Sequence, residues 1–256
     1  MAFHISALPK AQLCLFFFVC HCQTKYQYQT FIYGSMPFLN LCSYLLERDN
    51  TEIDVISFDD IDAIGERVKS VILIFHNFIS RLALHFWTRN YKQVAYLSRT
   101  HSEKYPSVQQ NRILNSCRVF YEGIAYLNLA RDTKQFKWMV LGKEAVTRIS
   151  KIAAVSKWNF EHKSNLLQAE LHYLEGNLGS AEMAYKASIR NAHENKFTSE
   201  EALAHELYGY FCVENHMADK GLEQLDAALG MYRQWGAMKK VTELQAFVEM
   251  MNLCHL

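Results

Sequence analysis

The chain has 256 residues, half of them hydrophobic, with 27 Lys+Arg against 26 Asp+Glu and only 3 prolines and 10 glycines. So many apolar residues with so few breakers favour long helices over the short strands of a sandwich, which need a turn about every ten residues, and the expected class is all-α. A formal net charge of +1 supplies no global field for nucleic acid, whose non-specific binding depends on many phosphate-neutralising cations. The seven cysteines (Cys14, Cys20, Cys22, Cys42, Cys117, Cys212 and Cys254) are odd in number and scattered. That pattern suits a reducing, cytoplasmic compartment better than a disulfide framework.

Residues 11–20 (AQLCLFFFVC) are apolar throughout. They are too few to span a bilayer, which takes about 20 residues. An inner helix covered on all sides is the expectation, and the h-region of a signal peptide is the alternative. Cys20-His21-Cys22 is half of a metal site at most, since one intervening residue matches no common zinc spacing and no second pair follows. Residues 31–46 read as a helix with Phe31, Phe38, Leu41 and Leu45 on one face despite Pro37. Seven carboxylates crowd residues 47–62 against Arg48 alone. They lack the glycine and terminal glutamate of a calcium loop, so they read as a solvated link entering a helix at the capping box Ser57-x-x-Asp60. Residues 1–57 thus form an N-terminal segment and acidic link, and residues 58–256 a repeat domain.

Residues 61–87 carry one long helical pattern through Val68, Ile72, Phe75, Ile79, Leu82 and Phe86, ending at a turn with Asn90-Tyr91. A second helix starts at Val94-Ala95 and stops before Pro106, because the residue preceding proline leaves the helical region. Residues 109–130 resume with Ile113, Cys117, Phe120, Ile124 and Leu127 around the small Gly123, and residues 136–155 follow. Basic residues outnumber acidic ones eight to three between Arg131 and Lys163. Dispersed around helices, they read as a solvated face, since a focused field needs like charges gathered in one cleft.

Residues 160–236 organise the rest. Ala169 and Gly209 fall in the first helix of successive pairs and Ala181 and Gly221 in the second, each forty apart by subtraction (209 − 169, 221 − 181). Such a period marks a stack of helix hairpins. Gly176 suits a left-handed C-cap and Asn177 an N-cap. Leu178, Ala181, Tyr185, Ile189 and Ala192 make one inward stripe. Thr198-x-x-Glu201 has the form of a capping box for a helix with Leu203, Leu207, Tyr210 and Phe211 inward. Leu222, Leu225, Leu229 and Tyr232 make the last stripe, beside small Ala228, before a stop at Trp235-Gly236. A final amphipathic helix over 241–253 covers the end of the stack.

Gly176-Asn177-Leu178-x-x-Ala181-x-x-x-Tyr185-x-x-Ser188 resembles the tetratricopeptide pattern, with serine where alanine is usual. The second copy keeps Gly221 and Ala228 but has His216 for the turn glycine. The implied architecture is antiparallel helix hairpins stacked as a tetratricopeptide-like solenoid. A wider set, Trp158-Asn159-Phe160-x-His162-Lys163, Ala169-Glu170, Ala192-x-x-Asn195-x-Phe197, Glu201-Ala202-x-Ala204-x-Glu206-Leu207 and Tyr232-x-x-Trp235-Gly236-Ala237, looks like one helical region of large multi-domain signalling proteins. That region lies between an ATPase domain and sensor plus histidine-kinase domains, behind a serine/threonine-kinase-like domain. The resemblance covers about residues 82–244. It implies a non-catalytic, intracellular scaffold whose partners are a protein, a peptide or neighbouring domains. A free-standing tetratricopeptide adaptor is the alternative.

No enzyme is expected. Gly142-Lys143 lacks the upstream glycine and following hydroxyl of a phosphate-binding loop, and the chain has no kinase glycine loop, H-R-D or D-F-G. His205 in Ala204-His205-Glu206-Leu207 resembles a histidine-kinase phosphoacceptor, but Tyr208-Gly209-Tyr210-Phe211 follows where arginine, threonine and proline are usual. A structural histidine is the expectation. No cofactor and no metal are expected, and the residues singled out serve repeat packing: Gly123, Ala169, Gly176, Ala181, Tyr185, Gly209, Gly221, Leu225, Ala228, Trp235 and Gly236.

Overall fold

The computed structural model describes residues 29–47, 57–105 and 112–254. The apolar run 11–20, the Cys20-His21-Cys22 cluster, Pro106 and most of the acidic link lie outside the described residues. Among these, every regular element is a helix: α1 (Gln29–Leu46), α2 (Phe58–Arg67), α3 (Val71–Trp87), α4 (Tyr91–Lys104), α5 (Arg112–Thr133), α6 (Phe136–Val155), α7 (Lys157–Leu174), α8 (Leu178–Glu194), α9 (Thr198–Glu214), α10 (Ala218–Trp235) and α11 (Met238–Cys254). None is long and apolar enough to cross a membrane.

Six turns share one local device; the turns at Lys134 and Ser156 do not. Backbone φ is positive at Lys69, Arg89, Gly176, Lys196, His216 and Gly236. Within each run these positions are twenty residues apart by subtraction (89 − 69; 196 − 176; 216 − 196; 236 − 216). At each, the amide of the left-handed residue bonds the carbonyl three residues back, and the next amide reaches five residues back. Gly176 N to Tyr173 O (3.1 Å) with Asn177 N to His172 O (2.9 Å) is repeated as His216 N to Val213 O (3.2 Å) with Met217 N to Cys212 O (2.9 Å). This is the Schellman closure, which satisfies the orphan carbonyls of a helix end and reverses the chain in two or three residues. Glycine fills only two of these six positions, so the period of twenty is invisible in composition.

Local expectations fail where tertiary contacts compete. The pattern read as one helix over 61–87 is two, α2 and α3. Lys69 takes the left-handed turn and the Ser70 hydroxyl caps α3 by accepting from Leu73 N (3.3 Å), leaving Val68 and Ile72 exposed. Ser57 does cap α2, accepting from Asp60 N at 3.1 Å. The box expected at Thr198 does not form, because Phe197 holds the N-cap position and the Glu201 carboxylate pairs instead with His193 Nδ1 at 2.9 Å. Asn177 sits at an N-cap without a side-chain bond. Leu178 is 42% exposed rather than inward.

Helices pack as successive pairs, and the second helix of each pair also packs on the first helix of the next. Close crossings are set by missing side chains. A Cβ on Gly209 would lie 2.6 Å from Leu225 Cδ2, and one on Gly221 would lie 2.6 Å from Val213 Cγ2, with each glycine's carbonyl oxygen 3.1 Å from the other's Cβ position. Gly123 meets Leu167 and Ala145 in the same way, at 2.7 and 2.8 Å. Ala169, Ala181, Tyr185, Leu225 and Ala228 are fully buried at the neighbouring crossings.

The array curls until its ends meet. Trp87 at the end of α3 packs against Trp235 (4.9 Å between ring centroids) and edge-on to Tyr232 (6.4 Å). Helix α1 lies on α3 and also touches α11, with Glu47 reaching Thr242 (3.1 Å) and Lys239 (3.5 Å). Its side chains from Ser35 to Leu46 are buried on nearly every side, only Tyr44 being exposed. Contacts therefore run beyond nearest neighbours, unlike the open stack expected of a simple repeat array.

Candidate functional site

Two carboxylates lie inside the closed array. Glu170 on α7 accepts from Tyr185 Oη (2.5 Å), Asn128 Nδ2 (3.1 Å) and Arg131 Nη1 (2.7 Å). Glu206 on α9 holds Lys240 Nζ (2.9 Å), the Tyr232 hydroxyl and Arg89 (3.5 Å). Both glutamate side chains are 1% exposed. Burial pushes the Glu206 pKa up, but the charges of Lys240 and Arg89 outweigh it, with help from the Tyr232 hydroxyl, and the carboxyl is held below its usual range. The Arg89 guanidinium covers the Tyr210 ring at 4.1 Å, and burial lifts the Tyr91 phenol to about 12. The oxygens of both carboxylates are engaged by side chains of this chain: Glu206 ties the α3–α4 turn to α11, and Glu170 ties α5 to α8.

Most of the residues that carried the family resemblance are buried in the fold, although Trp158 is 56% exposed. Besides Glu170, Glu206, Tyr232 and Trp235, His162 packs on the Phe197 ring at 4.2 Å, and Lys163 pairs with Glu200 at 2.7 Å. His205 lies half-buried on α9, its Nδ1 2.9 Å from Gln224 Oε1. Burial lowers its pKa, against the opposing effect of Gln224. Of the packing residues, Gly176 and Gly236 act through backbone conformation, with φ of 79° and 91°. The others in that set lie at helix crossings or in the core.

The outer face is open. Helices α4 and α6 both pack on α5, and a groove of about 800 Å³ runs between them over the floor that α5 provides. Asn90 starts α4 by accepting from Gln93 N (3.3 Å). Tyr91, Val94, Ala95, Ser98 and His101 then turn inward, which leaves Lys92, Tyr96 and Arg99 along the groove wall. Gly142 presses α6 onto Leu127 of α5, where a Cβ would lie 2.6 Å from Cδ2. Trp138, Leu141 and Arg148 consequently line the opposite wall. Arg118, Glu122 and Tyr126 form the floor stripe, one helical turn apart.

Trp138 stacks on Tyr126 (5.7 Å, 15° between planes), Lys137 covers the Trp138 face at 4.4 Å, and Tyr96 is 53% exposed. Five cations (Lys92, Arg99, Arg118, Lys137 and Arg148) face two acids (Glu122 and Glu144). Burial raises the Glu122 pKa even though Arg118 pulls it down. Arg118 stands 3.7 Å from Glu122, and its Nε is buried without a hydrogen-bond partner. Lys92, Lys137 and Arg148 make no ion pair among the described residues. A second outer groove, between α8 and α10, differs. There Glu182 holds Lys186 (2.7 Å) and Lys220 (2.5 Å), and Glu201 holds His193.

The sequence reading placed the basic residues of 131–163 on a solvated face and missed this site. Trp138, Leu141 and Arg148 do share a helix stripe, but Lys92, Arg99 and Arg118 arrive from elements 20 to 56 positions earlier by subtraction (138 − 118, 148 − 92). Among the described residues, no cluster of His, Cys, Asp and Glu side chains is placed to hold a metal ion. Comparison with known protein families, with curated proteins and with solved structures finds no match.

Proposed function

We propose that the chain is a non-catalytic scaffold, a tetratricopeptide-like solenoid closed on itself, that mediates protein interaction within or between signalling proteins. The observation that carries this reading is the outer groove: aromatic and cationic side chains are left unspent on a face that the fold keeps open, whereas the buried charges are consumed in holding the array together. The twenty-residue period of left-handed caps and the forty-residue spacing of small residues support the repeat architecture.

The finer reading, a module of an ATPase/histidine-kinase system, rests on the resemblance over about residues 82–244, in which Glu170, Glu206 and Tyr232 belong to the buried network. In that setting the closed array would transmit displacement as a body, because Glu206 links the α3–α4 turn to α11. The reading frame that encodes this chain, and its immediate neighbours, test it. A phosphate-binding loop upstream and a histidine-kinase box downstream are expected; absence of both sinks the signalling assignment. A free-standing adaptor would then be the remaining scaffold reading. It requires that a purified partner bind the isolated chain and that groove substitutions which preserve helical circular dichroism abolish the complex.

A further inference from the structure

Of the two outer grooves described above, the one between α4 and α6 keeps more cations available: Arg99 pairs with the exposed Glu103 and Arg118 with Glu122, each at 3.7 Å, whereas Lys92, Lys137 and Arg148 make no ion pair among the described residues. The groove between α8 and α10 spends most of its polar groups on Glu182 with two lysines, Glu201 with His193, and His205 with Gln224 at 2.9 Å. In the first groove, Arg99 and Arg148 stand on opposite walls, and a stacked Tyr126–Trp138 pair lines the same groove. The floor stripe from Arg118 to Thr133 is about 22 Å long at 1.5 Å per residue. That length matches a helical segment of about four turns or an extended segment of six to seven residues.

We infer that this groove binds an acidic protein segment that carries an aromatic or long aliphatic side chain, the apolar group seating on Tyr126 and Trp138 while carboxylates meet Arg99, Arg148 and the buried Arg118. The inference rests on the interaction-module reading and names the chemistry of its partner. Charge complementarity selects acid: Lys92 on one wall and Lys137 and Arg148 on the other make no ion pair among the described residues and attract carboxylates, and Arg118, 3.7 Å from Glu122, keeps a buried Nε with no hydrogen-bond partner among those residues. The aromatic pair supplies the apolar anchor around which interface energy concentrates. Single-stranded nucleic acid also uses cations and stacking platforms. Here, however, Glu144 and Glu122 stand among the cations, so a continuous line of phosphates would meet like charge, whereas a peptide can place its own donors against them.

The experiment is a selection of random twelve-residue peptides displayed on phage against the full chain, followed by fluorescence anisotropy with the enriched peptides and with a fifteen-residue oligothymidine. Enriched peptides should combine Asp/Glu with Trp, Phe or Leu. Their affinity should fall at least tenfold with Arg99→Glu/Arg148→Glu, and separately with Trp138→Ala, and should weaken with salt. Arg99 and Arg148 are exposed, so that double variant is expected to fold, and circular dichroism checks it. Enrichment of peptides without acidic residues, or no enrichment, overturns the proposal. Oligothymidine that displaces the peptides would overturn it in favour of nucleic acid. Peptides insensitive to these variants but sensitive to Lys186→Glu/Lys220→Glu would remove this site and leave the interaction module standing. The reading-frame test bears on the module alone.

Discussion

Replacing Glu206 by leucine should unfasten the closed array. The carboxylate is 1% exposed and lies 2.9 Å from Lys240, whose side chain is itself only 4% exposed; Arg89, at 3.5 Å, keeps 31% of its side chain in contact with water. Removing one partner of a buried pair leaves the other charge uncompensated, at a cost of about 3 to 5 kcal/mol. The Tyr232 hydroxyl also loses its acceptor, but that loss overlaps with the first, so about 4 kcal/mol is expected for Glu206→Leu. Arg89 contributes less to the total because it stands farther from the carboxylate than Lys240 and keeps its contact with the Tyr210 ring.

Urea unfolding followed by far-ultraviolet circular dichroism at pH 7 reads this directly. Adding Lys240→Met to Glu206→Leu removes the stranded ammonium. The double variant should then be less destabilised than the sum of the singles by roughly 2 kcal/mol or more, since the two residues are directly coupled. The pH dependence follows from the depressed carboxyl pKa. The folded state binds its proton more weakly than the unfolded chain, whose value is near 4.5, so the contribution is complete above that value and disappears as pH falls through the lower folded value. The gap between parent and Glu206→Leu should therefore narrow below pH 4.5. A cost under 1 kcal/mol at pH 7, or a gap that stays constant down to pH 3, would refute the reasoning.

Gly209→Ala should destabilise by about 1 to 3 kcal/mol through overpacking against Leu225 and the Gly221 carbonyl. Gly230→Ala, which meets nothing within 4 Å on the adjoining α10, should instead be neutral or stabilise by up to about 1 kcal/mol through helix propensity; equal unfolding midpoints would remove the crossing argument. His216 holds φ of 61° on an exposed turn, so His216→Gly should stabilise by about 0.5 to 1 kcal/mol, and a loss of stability would show that the imidazole does more than occupy a turn. His101 is buried against the Phe78 ring, 3.9 Å between centroids, and burial with the charge of Arg118 lowers its pKa to about 4. Its ring signals in a nuclear magnetic resonance titration should stay neutral through pH 6. Stability from this residue is complete above its ordinary 6.5 and lost as pH falls from there toward 4, and a midpoint near 6.5 would contradict the burial.

Helix class, most helix spans and the spacing of small residues were legible in the sequence because they are local. A 3.6-residue apolar period and a missing Cβ leave marks on the chain itself. Gly176 announced a left-handed cap and Gly236 a helix stop, which is the other glycine cap. The four at Lys69, Arg89, Lys196 and His216 did not, because lysine, arginine and histidine carry no strong signal for that conformation. Thr198-x-x-Glu201 shows the opposite failure, a correct local motif whose glutamate is drawn away by His193. Closure of the array and the outer groove belong to the tertiary structure alone. Glu206 meets Arg89 from 117 positions away by subtraction (206 − 89), and Arg99 faces Arg148 only because Gly123 and Gly142 let α6 settle onto α5. Helical periodicity determines which residues share a stripe; which stripes meet, and which are left open, depends on the distances between helix axes, and those are set by side chains far apart in the chain.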